Sequence, residues 1–164
     1  MREKATFGMG CFWKPQLIFD KVPGIIKTQV GYMGGNEEQY PYPTYEQVCS
    51  DKTGYAEVIH IIFNFNKISY KQLLNIFWTN HNPTTKNRQG NDIGDQYRSI
   101  IFFHSREQEK TAKTSLEEKQ REMNSKILFN KKIATEIKPA SKFFPAEDYH
   151  QKFLEKKGRK SCSI

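Results

Sequence analysis

The chain has 164 residues, 37% apolar and 27% charged, with 26 Lys and Arg against 18 Asp and Glu for a formal charge of +8. That length fits one domain with a hydrophobic core and no disulfide staples, and 12 Phe, 8 Tyr and 2 Trp are too much ring surface for a disordered chain. No stretch approaches the roughly 20 apolar residues needed to cross a bilayer, and the opening MREKATFGMG lacks the apolar core of a secretory signal, so the expected compartment is the cytoplasm.

In chain order, residues 4–10 predict a short strand and residues 14–21 a short helix with Pro15 in its first turn, where proline is tolerated. Residues 25–32 alternate as a strand ending in Gly34-Gly35, and residues 36–45 form a polar loop rich in Tyr and Pro. Residues 56–65 give the clearest strand, with Glu57, Ile59, Ile61, Phe63 and Phe65 on one side by the two-residue period. A helix over 69–80 has Ser69 as N-cap and Leu73, Leu74, Ile76 and Phe77 on its buried side. Residues 82–95 read as loop, 98–103 as strand, 105–128 as a long amphipathic helix, 134–138 as strand and 147–155 as a terminal helix. Strands and helices alternate irregularly, without a repeat or a linker. This favours one α+β domain over residues 1–164, with a sheet and helices on one face.

The surplus charge raises nucleic acid as a partner, but its placement argues against one. Residues 1–104 hold 11 basic and 9 acidic side chains and residues 105–164 hold 15 and 9. Along the long helix Lys and Glu interleave with no aromatic stacking platform, the pattern of a solvated face. The remainder is concentrated in residues 152–160, read with residues 156–164 as a flexible tail.

Three cysteines, Cys11, Cys49 and Cys162, form neither a CxxC pair nor an even framework, which points to redox or nucleophilic chemistry over cross-linking. Gly8-Met9-Gly10-Cys11-Phe12-Trp13 places Cys11 where a strand turns into a helix, a setting that favours thiolate, with two aromatics able to wall an apolar pocket. A structural cysteine beside core aromatics is the alternative. Glu57 is either a buried acid kept protonated by desolvation, able to donate a proton, or a strand-end carboxylate facing solvent. The polar loop 88–99 is a binding loop or a solvent loop. His60 points opposite Glu57, and no histidine spacing supports zinc. Cys49 reads as a small buried hydrophobe, and Cys162 as either a mobile thiol or an accident of the tail.

Together GCFW at 10–13, GYMGG at 31–35, PTYEQVCS at 43–50, TGYAEVI at 53–59, FWTNHNPTTKNRQGNDIGDQYRS at 77–99 and AEDYHQKFL at 146–154 resemble the A-type peptide methionine-S-sulfoxide reductases. The resemblance runs from Gly8 to Cys162. It implies a ferredoxin-like two-layer α+β fold with a long, partly irregular C-terminal tail, and reduction of methionine S-sulfoxide, free or in proteins, through a sulfenic acid. By the same resemblance Cys11 is the nucleophile, and Phe12 and Trp13 hold the S-methyl group. Glu57 protonates the sulfoxide oxygen, Tyr45 and Tyr97 hydrogen-bond it, and Asp92 supports them. Cys162 resolves the sulfenic acid to a disulfide that thioredoxin reduces, while Cys49 has no redox duty. No metal or organic cofactor, nucleic acid or membrane is implied, and the expected state is a monomer. The chain departs from the family at Lys14-Pro15-Gln16, where Gly, any residue and Glu are usual. An anion removed and Lys14 added should favour thiolate at Cys11.

Overall fold

The structure, a computed structural model, describes residues 1–126 and 131–160. It is built, in order, from β1 (Arg2–Met9), α1 (Trp13–Phe19), β2 (Ile25–Met33), α2 (Tyr45–Cys49), β3 (Ala56–Asn64), α3 (Tyr70–Thr79), β4 (Arg88–Gln89), β5 (Asp92–Ile93), β6 (Ser99–Phe103), α4 (Arg106–Asn124), β7 (Glu136–Pro139), β8 (Phe144–Pro145) and α5 (Phe153–Lys156). Six strands make one sheet in the order β7-β6-β1-β3-β2-β8, antiparallel throughout except for β6 with β7. The central four strands with α1 and α3 form the ferredoxin-like unit, in which β1 and β2 run parallel on either side of β3.

Alternation decides the two faces. Ile59, Ile61 and Phe63 of β3 point into the main core with Phe7, Phe19, Leu73, Leu74 and Phe77, beneath the helices. On the other face Val58, Ile100 and Phe102 pack under Ala140 and Phe143, so the segment after β7 covers the side that carries no helix. His60 lies on that second face, where Thr6 Oγ1 sits 2.8 Å from both His60 Nδ1 and His104 Nε2. Helix α3 starts at a capping box in which the Ser69 hydroxyl accepts from the Gln72 N–H and the Gln72 side chain accepts from the Ser69 N–H.

Several expectations are corrected. β3 ends at Asn64, so Phe65 leaves the strand and is 40% exposed. Trp78 rather than Ile76 joins the fully buried side of α3. The polar loop closes one residue early, because a second capping box between Thr44 and Gln47 starts α2 at Tyr45. In that five-residue helix Val48 is the buried residue and Cys49 is exposed, against the reading of Cys49 as core. Two-residue strands, β4, β5 and β8, are too short for any period to reveal. The helix expected over 147–155 is broken: Asp148–His150 is a 3₁₀ turn, and α5 starts only after Lys152 at φ +53°. α5 closes in a Schellman motif, with Gly158 at φ +61° and the Arg159 N–H donating to Leu154 O. The start of the expected tail is thus helix end and cap. Residues 161–164, with Cys162, lie outside the described residues. The long helix is the solvated face expected of it, with Lys113–Glu109 and Lys126–Glu122 pairs on its surface. No described helix is long and apolar enough to cross a membrane.

Candidate active site

β1 leaves the sheet through Gly10, whose φ of +86° favours glycine and where a Cβ would sit 2.7 Å from Gln89 Cβ. The turn delivers Cys11, partly exposed, onto the start of α1. No side chain caps α1. The Phe12 N–H instead donates to Glu57 Oε2 at 3.1 Å. Glu57 is 1% exposed, which decides in favour of the buried acid over a solvent-facing carboxylate. The β1–β3 pairing runs out at Phe7 with Ile59. Glu57 therefore stands just past the last paired rung, at the start of β3 beside the outgoing Cys11 turn.

Tyr32 pairs directly with Glu57 across β2 and β3, so the two side chains share a face. The Tyr32 hydroxyl donates to Glu147 Oε1 at 2.9 Å, and Glu147 Oε2 accepts the Tyr45 N–H at 3.1 Å. Burial works against the Glu147 carboxylate, yet those donors together with its own N–H hold it below the usual carboxylate range. One carboxylate thereby ties β2, α2 and the C-terminal segment together.

Both expected phenols come to this place. Burial, a hydrogen bond with Cys49 and the nearby Glu57 keep the Tyr45 hydroxyl protonated well beyond the ordinary tyrosine range. Burial, then the neighbouring Glu57 carboxyl, does the same for Tyr97, which also senses Cys49, Asp92 and Cys11. Each is a neutral O–H donor at physiological pH. Asp92 itself is exposed in the β4–β5 hairpin. Cys49 is no core residue but a partner of Tyr45, and burial pushes its thiol up.

The aromatic wall is built from three segments. Phe12 is 1% exposed and packs on Tyr32 and His150 at ring-centroid distances of 5.9 and 5.2 Å. Trp13 is only half-buried and stacks on Phe153 at 3.8 Å and 12°. Its indole N–H donates to His150 Nδ1 at 3.0 Å. An indole nitrogen only donates, so Nδ1 is unprotonated and the neutral His150 carries its proton on Nε2. Burial depresses the His150 basicity, opposed by Glu147.

Tyr32, Glu147, His150 and Phe153 were not singled out from the sequence. They lie in the GYMGG and AEDYHQKFL segments, but a 3₁₀ turn followed by a left-handed residue has no periodicity to read. The departure at Gln16 also finds its place. Gln16 is 1% exposed, its Oε1 accepts the Lys152 N–H at 2.7 Å and its Nε2 donates to Thr28 Oγ1 at 3.2 Å. A carboxylate has no such donor. The Gln16 side chain therefore anchors the C-terminal segment. Among the described residues no group of three or more His, Cys, Asp or Glu is placed to hold a metal ion.

The family model for peptide methionine sulfoxide reductase matches residues 3–164. Over 161 residues the chain is 50% identical to the peptide methionine sulfoxide reductase MsrA of Geobacter metallireducens, covering 98% of this chain and 95% of that one. Its fold is similar to that of Mxr1 from Saccharomyces cerevisiae in reduced form, with a TM-score of 0.88 and 36% identity over 96% of this chain and 86% of that one. Mxr1 in complex with Trx2 also matches, with a TM-score of 0.63 and 26% identity over 91% and 84% of the two chains.

Proposed function

The chain belongs to the peptide methionine sulfoxide reductase family, A type, and we propose that Cys11, Glu57, Tyr45, Tyr97 and Cys162 carry its reduction of methionine sulfoxide. The observation that supports this most directly is the buried Glu57 bonded to the backbone N–H next to Cys11, beneath an aromatic wall. The Cys11 thiolate attacks the sulfoxide sulfur while Glu57 delivers a proton to the oxygen and the Tyr45 and Tyr97 hydroxyls donate to it. The protonated oxygen then passes from the methionine sulfur to Cys11 as the sulfur–sulfur contact breaks, so methionine leaves as the thioether and Cys11 is left as a sulfenic acid. Trp13 and Phe12 hold the S-methyl group on the side away from the oxygen donors. That opposition at one sulfur centre selects the S epimer, free or in proteins. Asp92 acts through Tyr97, whose acidity it lowers.

The Cys162 thiol then attacks the sulfenic sulfur, water leaves, and a Cys11–Cys162 disulfide forms. An external dithiol returns both thiols. Thioredoxin is the reductant this reading names, in line with the solved complex of the yeast relative with Trx2. One catalytic domain spans residues 1–164, with residues 156–164 presenting Cys162, and the enzyme works in the cytoplasm as a monomer without metal or organic cofactor. The test is Cys11→Ser assayed with dithiothreitol on separate R and S sulfoxides. The parent should reduce only the S epimer and the variant neither; activity retained in the variant refutes the nucleophile.

A further inference from the structure

A cavity of about 580 Å³ opens beside the site, between the end of α3 and the outer turns of α4. Lys14, Lys119, Lys126 and Lys131 line it over a floor that includes Trp78 and Met123, and among the described residues no carboxylate does. Lys119 and Met123 fall at i and i+4 of one stripe of α4, and Lys126 lies just beyond its C-cap Ser125, so the end of the helix presents basic side chains here. Glu122 is shared between Lys119 and Lys126 at 3.3 Å each. Among the described residues Lys14 and Lys131 have no ion pair. The lysines are not needed to cap α3 either. Its last carbonyls, of Asn75, Ile76 and Phe77, already lie against Thr79 Oγ1, Asn80 Nδ2 and His81 Nδ1.

The cavity adjoins the reacting end of the molecule. Lys14 follows Trp13, and Asn82 of the opposite wall has both its N–H and its C=O bonded by the Gln89 side chain. That same side chain packs against Gly10, the residue before Cys11. A polypeptide whose methionine sulfoxide lies at Cys11 therefore brings its flanking residues over a pocket with about three unbalanced positive charges and an apolar floor. Carboxylate heads on methylene stems match both features.

We propose that this cavity is a specificity subsite for acidic side chains next to methionine sulfoxide, so that the enzyme favours oxidised methionines in acidic stretches of protein. This rests on the reductase reading and adds the class of protein substrate. The test uses peptides of one length with a single methionine S-sulfoxide flanked by Glu, Gln or Lys, and dithiothreitol as reductant so that no protein partner enters. At low ionic strength the Glu peptide should exceed the Gln peptide about fivefold in kcat/KM, through KM, and the gap should shrink with salt. Replacing Lys119 and Lys131 together by Gln should remove the gap while leaving the Gln peptide unchanged, and replacing both by Arg should keep it. Equal kcat/KM for the Glu and Gln peptides overturns the subsite while leaving the reductase reading intact. A gap that survives in the double Gln variant overturns the assignment to this cavity. Failure to reduce any peptide or free methionine sulfoxide sinks the reductase reading itself.

Discussion

Glu57→Gln separates what Glu57 does for the fold from what it does for the chemistry. In the fold the side chain accepts a hydrogen bond from the Phe12 N–H at 3.1 Å, in a site 1% exposed. Glutamine has the same shape and a carbonyl that accepts the same bond, so the unfolding free energy should change by less than about 1 kcal/mol. What the amide lacks is a proton to give. General acid catalysis contributes about 10²- to 10⁴-fold, and the methionine-forming step should slow by that factor, a barrier increase of about 3–5 kcal/mol. Glu57→Ala is the control: it also strips a buried N–H of its acceptor, at about 1–3 kcal/mol of stability, and leaves a cavity. Rapid mixing of pre-reduced enzyme with S-sulfoxide and no reductant reads methionine release in one turnover, and urea midpoints read stability. A Gln variant within a few fold of the parent rate refutes the proton role, and a Gln variant as unstable as the Ala variant shows that the hydrogen bond was misread.

Cys162→Ser should release one equivalent of methionine at near-normal rate and then stall with thioredoxin; unimpaired thioredoxin-driven turnover rules out Cys162 as resolver. His150→Leu removes the acceptor of the Trp13 indole, a loss of about 1 kcal/mol that should raise KM about fivefold and alter tryptophan emission, with little change in kcat. His150→Asn, which can place a carbonyl near the Nδ1 position, should recover most of it, and an unchanged KM in the Leu variant shows that Trp13 needs no anchor. Burial holds His60 and His81 down to about 4, against about 6.5 in the unfolded chain. The unfolded state therefore binds protons first as pH falls, so stability is full above about 6.5 and declines toward 4. The contribution of His81 is of order 2–3 kcal/mol, and an imidazole titration of His81 with a midpoint near 6.5 contradicts its burial as the cause.

The sequence showed most where one physical rule controlled a whole element. Alternation set the face of β3 and hence the side on which Glu57 lies, and two glycines before Cys11 marked the turn that delivers it. Ser69 and Gln72 marked the start of α3. Other parts had no rule to reveal them. Cys49 follows a buried valine, but on a five-residue helix adjacent positions point about 100° apart, so one is core and the next exposed. Tyr45, Tyr97 and Asp92 sit at element ends and in a hairpin where neither period applies, and only the family resemblance singled them out. The Glu147–His150 scaffold depends on a 3₁₀ turn and a left-handed lysine, both stabilised by tertiary bonds from Gln16 and Gln151 that no local pattern encodes.

The same tertiary bonds connect the two halves of the proposed cycle. Gln151 bonds the N–H and C=O of Val30 as an added strand residue would, and Gln16 holds the N–H of Lys152. These fixed points set His150 and Phe153 against Trp13, so the aromatic wall proposed for the S-methyl group includes the segment that leads to Cys162. From Phe153 to Cys162 is nine residues, an extended reach of ~30 Å, and Trp13 is two residues from Cys11. The helical turn of α5 and its Schellman close take up the first half of that span. Neutral Gln16 suits this arrangement, since it secures the C-terminal segment by donating to Thr28 and accepting from Lys152 without adding an anion beside Asp20, which already bonds Thr28 and pairs with Lys152.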